Sequence, residues 1–117
     1  MLESEKVQIL LSTYNGEKYL EELIISLLDQ EYSNLSILIR DDGSVDRTVE
    51  ILKKYENNNN ISIIFGENLG VVDSFFELIK NADAEAEFVA FCDQDDLWEQ
   101  SKIFRAVNIL HFANKNQ

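Results

Sequence analysis

The chain has 117 residues, 45% of them apolar, which is enough for one domain with a buried core. Its 22 acidic and 10 basic residues leave a net charge of −12, and without a basic patch such a surface repels nucleic acid and anionic membranes. The single cysteine, Cys92, excludes an internal disulfide, the acidic start Met1–Lys6 lacks an apolar signal core, and no apolar run nears the ~20 residues of a membrane span, so secretion and spanning are not expected.

Strand and helix patterns alternate along the chain. Residues 7–13 form a nearly continuous apolar run, predicting a first strand. Residues 16–30 predict a helix, because Tyr19, Leu20, Leu23, Ile24, Leu27 and Leu28 recur at steps of three and four. Residues 35–40 predict a second strand. Ser44 is placed to cap a second helix whose Val49, Ile51, Leu52 and Tyr55 face inward, and the polar turn 57–60 ends it. Residues 61–65 predict a third strand, and 70–81 a third helix carrying Val71, Val72, Phe75, Phe76 and Ile79. Residues 88–92 predict a fourth strand that holds Cys92 as a small core residue. Residues 99–112 predict a last helix with Ile103, Phe104, Val107 and Leu110 on one side. Four strand–helix repeats imply a parallel sheet with right-handed crossovers, and strands apolar throughout imply cover on both faces. The whole span 1–117 reads as one domain.

In such a sheet, ligands gather outside the carboxyl ends of the strands. Four polar loops should meet there: Ser12-Thr13-Tyr14-Asn15-Gly16, Asp41-Asp42-Gly43-Ser44, Gly66-Glu67-Asn68-Leu69-Gly70, and Asp93-Gln94-Asp95-Asp96. Each has a plain structural reading. Ser12, Thr13 and Asn15 suit helix capping as well as binding, and so do Asn68 and Gly70. Asp41 and Asp42 together exceed what a turn and cap require. Three carboxylates at the end of one strand repel one another, and a divalent cation or shifted pKa values must relieve them. Hard oxygen donors suit Mg²⁺ or Mn²⁺ better than zinc, and His111 stands alone in the last helix. Magnesium is commonly shared between carboxylates and substrate phosphates, which suggests a diphosphate ligand. Neither GxxxxGK[ST] nor GxGxxG occurs, so the phosphates would be held mainly through the metal.

With these loops in place, the chain resembles the N-terminal half of inverting nucleotide-sugar glycosyltransferases of family 2, which have the GT-A fold. The likeness runs through ILLSTYNGEKYLEELIISLLDQ, LSILIRDDGSVDRTVEIL, GENLGVVDSFFELI and FVAFCDQDDLW, nearly the whole chain. It implies an α/β fold with an open, mainly parallel, Rossmann-like sheet and helices on both faces, ending one helix after the DxD loop. It implies that Ser12, Thr13 and Tyr14 line the base pocket, that Asp42 contacts the donor nucleoside with Asp41 beside it, and that Asn68 and Gly70 close over the nucleotide. Asp93 and Asp95 would form the DxD pair. Asp95 would bind a metal bridging the donor phosphates, Asp93 would hold the ribose or the metal, and Asp96 would face the sugar. Trp98 would be a pocket wall or a core anchor.

The implied reaction transfers a sugar from a UDP- or dTDP-sugar to a hydroxyl of a saccharide or lipid-linked acceptor, with inversion. Similarity to bacterial rhamnosyltransferases favours dTDP-rhamnose, and polysaccharide assembly in the cytoplasm, at the inner membrane face, is the implied setting. Family members place the general base several dozen residues beyond the DxD, so the chain reads as a donor-binding part of a longer enzyme or a shortened product, with no catalytic base. A proline common after the DxD tryptophan is replaced by Glu99-Gln100-Ser101, which leaves the start of the last helix open. Three other readings fit less well. Haloacid-dehalogenase-type phosphatases and signalling receivers carry their acidic motif after the first strand, and a non-catalytic interaction module leaves the converging loops unexplained.

Overall fold

In the computed structural model, residues 5–94 and 97–115 are described, with side chains of the last helix as far as Leu110; residues 1–4, Asp95, Asp96 and 116–117 lie outside them. Four parallel strands, β1 (Val7–Thr13), β2 (Leu35–Asp42), β3 (Ile61–Gly66) and β4 (Phe88–Cys92), lie in the order β3-β2-β1-β4. They alternate with helices α1 (Leu20–Leu28), α2 (Thr48–Lys53), α3 (Val71–Asn81) and α4 (Lys102–Lys115). All seven residues of β1 are buried, since it has a strand on each side and helices on both faces.

Alternation along the strands divides the core in two. Val7, Ile9 and Leu11 of β1 and Ile37 and Ile39 of β2 pack with Leu20, Leu23, Ile24 and Leu27 of α1, Leu52 of α2, and Ile103 and Val107 of α4. Leu10 and Leu38 point the other way and meet Leu78 of α3. The connection from β3 to β4 steps back across β2 and β1, so a right-handed crossover places its helix, α3, on the face opposite α1 and α2.

Several element boundaries differ from the expectation. α1 starts at Leu20 rather than residue 16: Asn15 has φ 48°, and the Gly16 carbonyl accepts from both the Tyr19 and Leu20 amides, forming a turn before the helix. Ser44 does not cap α2, whose N-cap position is Arg47; its hydroxyl donates to Asp41 at 2.6 Å instead. β2 runs on to Asp42, so the two acids are strand residues. α4 begins at Lys102, and residues 99–101 are tied to the end of α1. The Gln30 amide donates to the Glu99 carbonyl and accepts from the Ile103 amide, and the Glu31 amide donates to the Gln100 carbonyl. Trp98 is a core anchor, 6% exposed, with the Lys102 ammonium 4.3 Å from its ring centre. Leu110 is exposed.

Cover on both faces holds for β1 but not for β4, where Val89 and Phe91 are 46% and 57% exposed. The apolar stripe of α3 likewise splits. Ser74 and Leu78 are buried against the sheet, whereas Val71, Val72, Phe76 and Ile79 are exposed.

Candidate functional site

The four loops converge at the carboxyl edge of the sheet. β1 and β2 pair Ser12 with Arg40 and Thr13 with Asp41, and β2 pairs Asp42 with Gly66 of β3. Side-chain alternation then sorts these residues by face. Thr13 and Asp41 lie on the α1–α2 face, where the Thr13 hydroxyl donates to Asp41 at 2.8 Å and both the amide and hydroxyl of Ser44 donate to the same carboxylate. Ser12, Arg40 and Asp42 lie on the α3 face and form a buried polar network with Ser74. Arg40 donates to Asp42 at 2.6 Å and to the Ser74 hydroxyl at 2.9 Å, and the Ser12 and Ser74 hydroxyls share a 2.7 Å hydrogen bond.

An open cavity of about 510 Å³ lies on the α3 side of this edge. Ser12, Tyr14, Asp42, Asn68, Gly70 and Asp93 line it, and Gln94, Val71 and Phe75 complete the wall. Its size falls in the range of about 300–1,000 Å³ typical of small-molecule sites. Thr13 and Asp41 are not among its lining residues; they sit fully buried behind the wall and support it. Among the described residues no three His, Cys, Asp or Glu side chains group as metal ligands, and Asp95 and Asp96 fall outside those residues.

Among the described residues, Asp42 is the most heavily bonded acid of the site. Its carboxylate accepts from Arg40, from the Leu69 and Gly70 amides at 2.9 and 3.0 Å, and from the Asn68 side chain at 3.3 Å. Burial pushes its pKa up, but the Leu69, Arg40 and Gly70 hydrogen bonds together outweigh burial and hold it below the ordinary value. Asp42 thereby fixes the 68–70 loop at the start of α3. The same loop requires a glycine at 43: its φ is +77°, and a Cβ would lie 2.8 Å from the Asn68 nitrogen. Asp93 differs from Asp42. Its side chain is exposed at the cavity rim and makes no hydrogen bond or ion pair with another described residue.

Two contributors, Arg40 and Ser74, escape a sequence reading built on loops alone, and a third, Gln94, lies in the fourth loop but had no role assigned to it. The signal for the first two is parity. Arg40 shares the face of Leu38, and Ser74 is a polar residue four positions before the buried Leu78, so a buried polar partner there was implied by period.

Residues 8–116 match the family profile "Glycosyl transferase family 2". The chain belongs to this family. Within family 2, it is 37% identical over 111 residues to the dTDP-rhamnosyl transferase RfbG of Shigella flexneri, an alignment covering 91% of this chain and 38% of RfbG. It is 34% identical over 93 residues to the poly(ribitol-phosphate) beta-N-acetylglucosaminyltransferase TarS of Staphylococcus aureus, covering 78% of this chain and 16% of TarS. Superposed on the crystal structure of TarS 1–349 in complex with UDP, it gives a TM-score of 0.80 at 32% identity, covering 91% of this chain and 32% of that one. The mannosyltransferase PcManGT of Pyrobaculum calidifontis, solved with GDP-Man and Mn²⁺, gives 0.82 at 22% identity over 90% of this chain and 32% of that one, a likeness of fold. The expected GT-A architecture is thus the one found. The chain spans well under half the length of each of these relatives and structures. No helix among the described residues is long and apolar enough to cross a membrane.

Proposed function

We propose that this chain is the donor-binding part of a glycosyltransferase that moves a sugar from a nucleoside diphosphate sugar to an acceptor hydroxyl, with inversion at the anomeric carbon. The observation that carries this reading is a cavity at the carboxyl edge of the sheet, where loops after all four strands meet around Asp42, Asn68 and Asp93. Ser12 and Tyr14 line the base pocket, backed by Thr13 and Asp41. The nucleoside meets Asp42 at the wall, where the 3.3 Å bond from Asn68 is the one most readily exchanged for a base N–H. Asn68 and Gly70 then close over the nucleotide.

The exposed carboxylate of Asp93 at the rim fits a hard divalent cation, Mg²⁺ or Mn²⁺, and the sequence offers Asp95 as the second acid of the pair and Asp96 as a contact to the sugar. When bound, such an ion acts as a Lewis acid on the departing diphosphate. The chain's own contribution is orientation: it holds the donor while an acceptor hydroxyl approaches in line. No residue of this chain is assigned as the base that takes the acceptor's proton. The name of RfbG supports a dTDP-sugar and the TarS complex supports UDP, and the proposed acceptor is a saccharide or lipid-linked molecule in cell-surface polymer synthesis. That role sets the protein in the cytoplasm, peripheral at the inner membrane face.

Calorimetry with UDP, GDP and dTDP in the presence of Mn²⁺ tests the reading. One of the three should bind, and its affinity should fall by about tenfold or more, ~1.4 kcal/mol, when the metal is chelated or Asp93 is changed to Ala. Absence of binding by all three nucleotides would sink it.

A further inference from the structure

We propose that Gln94 is a positioning residue: its side-chain amide latches the acidic loop after β4 to the loop after β1 and so sets the width of the cavity between Asp93 and Tyr14. This rests on the donor-site reading given above. Gln94 Oε1 accepts from the Tyr14 amide at 2.8 Å, and Nε2 donates to the Tyr14 carbonyl at 2.9 Å. A main-chain N–H only donates and a carbonyl only accepts, so this pair fixes which way the amide faces. Two bonds to one residue hold Tyr14 and Gln94 in both distance and rotation, although they are 80 positions apart in the chain.

Gly16 carries the independent mark of this contact. Its φ lies outside the left-handed region, so its backbone suits any residue. A Cβ there would nevertheless lie 2.6 Å from Gln94 Oε1 and 3.2 Å from its Cδ. The small residue at 16 is needed by the amide rather than by the chain's own conformation. The latch is also the right chemistry for its place. It sits beside Asp93 and precedes two further acids, and a neutral amide anchors the loop without adding another negative charge.

The test is a double-mutant cycle of Gln94→Ala and Gly16→Ala, read by hydrogen exchange of the Tyr14 amide in the free protein and by calorimetry of UDP and dTDP with Mn²⁺. Each single change should speed Tyr14 exchange and weaken nucleotide binding by about tenfold, while the melting temperature stays within about 2–4 °C of wild type. Gly16→Ala should add nothing in the Gln94→Ala background, because it acts through the displaced amide. Gln94→Glu, which keeps the acceptor and loses the donor, should weaken nucleotide binding as well. Unchanged Tyr14 exchange in Gln94→Ala overturns the latch. Faster exchange with unchanged nucleotide affinity overturns its role in the site, and additive effects in the double variant overturn the part assigned to Gly16. Wild-type protein that binds no nucleotide overturns the donor reading and the functional half of this proposal, and the exchange of Tyr14 then still decides the latch.

Discussion

Arg40 and Asp42 stand two residues apart on one strand, on the same face, with side chains 5% and 4% exposed. Neither charge could be left alone there, and each is satisfied by the other together with Ser74 and the 67–70 loop. Arg40→Met should therefore cost about 3–5 kcal/mol, measured by urea denaturation, because it leaves the Asp42 carboxylate buried without its cation. The lowered pKa of Asp42 also has a pH signature. Its stabilisation is fully present above the ordinary carboxylate value of 3.8 and is lost as pH falls through the lower folded-state value. The stability difference between wild type and Asp42→Asn should accordingly shrink as pH drops below about 4. A gap that stays constant to acid pH would contradict that assignment. The sequence made the adjacent acids conspicuous, but it did not say that they face opposite ways. That follows once β2 is seen to continue through both, since neighbouring strand residues alternate.

At the level of elements, strong periodicity was reliable where burial alone decides the outcome. β1 is found at residues 7–13 as expected because a continuous apolar run can only be a central strand here. The start of α1 was not legible. Residues 16–19 fit a helical stripe, but side chains from other loops hold the segment in a turn: the Gly16 amide donates to the Thr48 hydroxyl, and the Asn15 amide donates to Ser44. Such bonds span about thirty positions and leave no local trace. Trp98, with two open readings from sequence, packs in the core between α1 and α4, and its indole N–H has no partner among the described residues. Trp98→Phe should thus cost no more than about 1.5 kcal/mol, since no hydrogen bond to a described residue is lost. Trp98→Ala should cost about 3–5 kcal/mol through the cavity it leaves. Equal losses for both in thermal or urea unfolding would show that the indole N–H is in use.

For the molecule as a whole, one layer is complete and the other is partial. The face bearing α1, α2 and α4 holds the larger core, while α3 covers β1 and β2 and leaves Phe91 of β4 beside Val72, Phe76 and Ile79 in an exposed apolar surface. Hydrophobic period identifies a helix, but it does not reveal whether anything lies over its outer side, so this exposure could not be read from sequence. Apolar surface next to an edge strand favours self-association, opposed here by the charge of −12. Salt screening should increase association of wild type in sedimentation experiments, and Phe76→Glu with Ile79→Glu should suppress it. The carboxyl edge of the sheet is where function is claimed, and amide shift mapping with UDP or dTDP and Mg²⁺ tests that claim most directly. The expected result is a set of shifts confined to Tyr14, Asn68, Gly70 and Gln94 and their neighbours, with the turn at 57–60 unmoved. Shifts centred on that opposite edge, or none at saturating nucleotide, would contradict a donor site in this cavity.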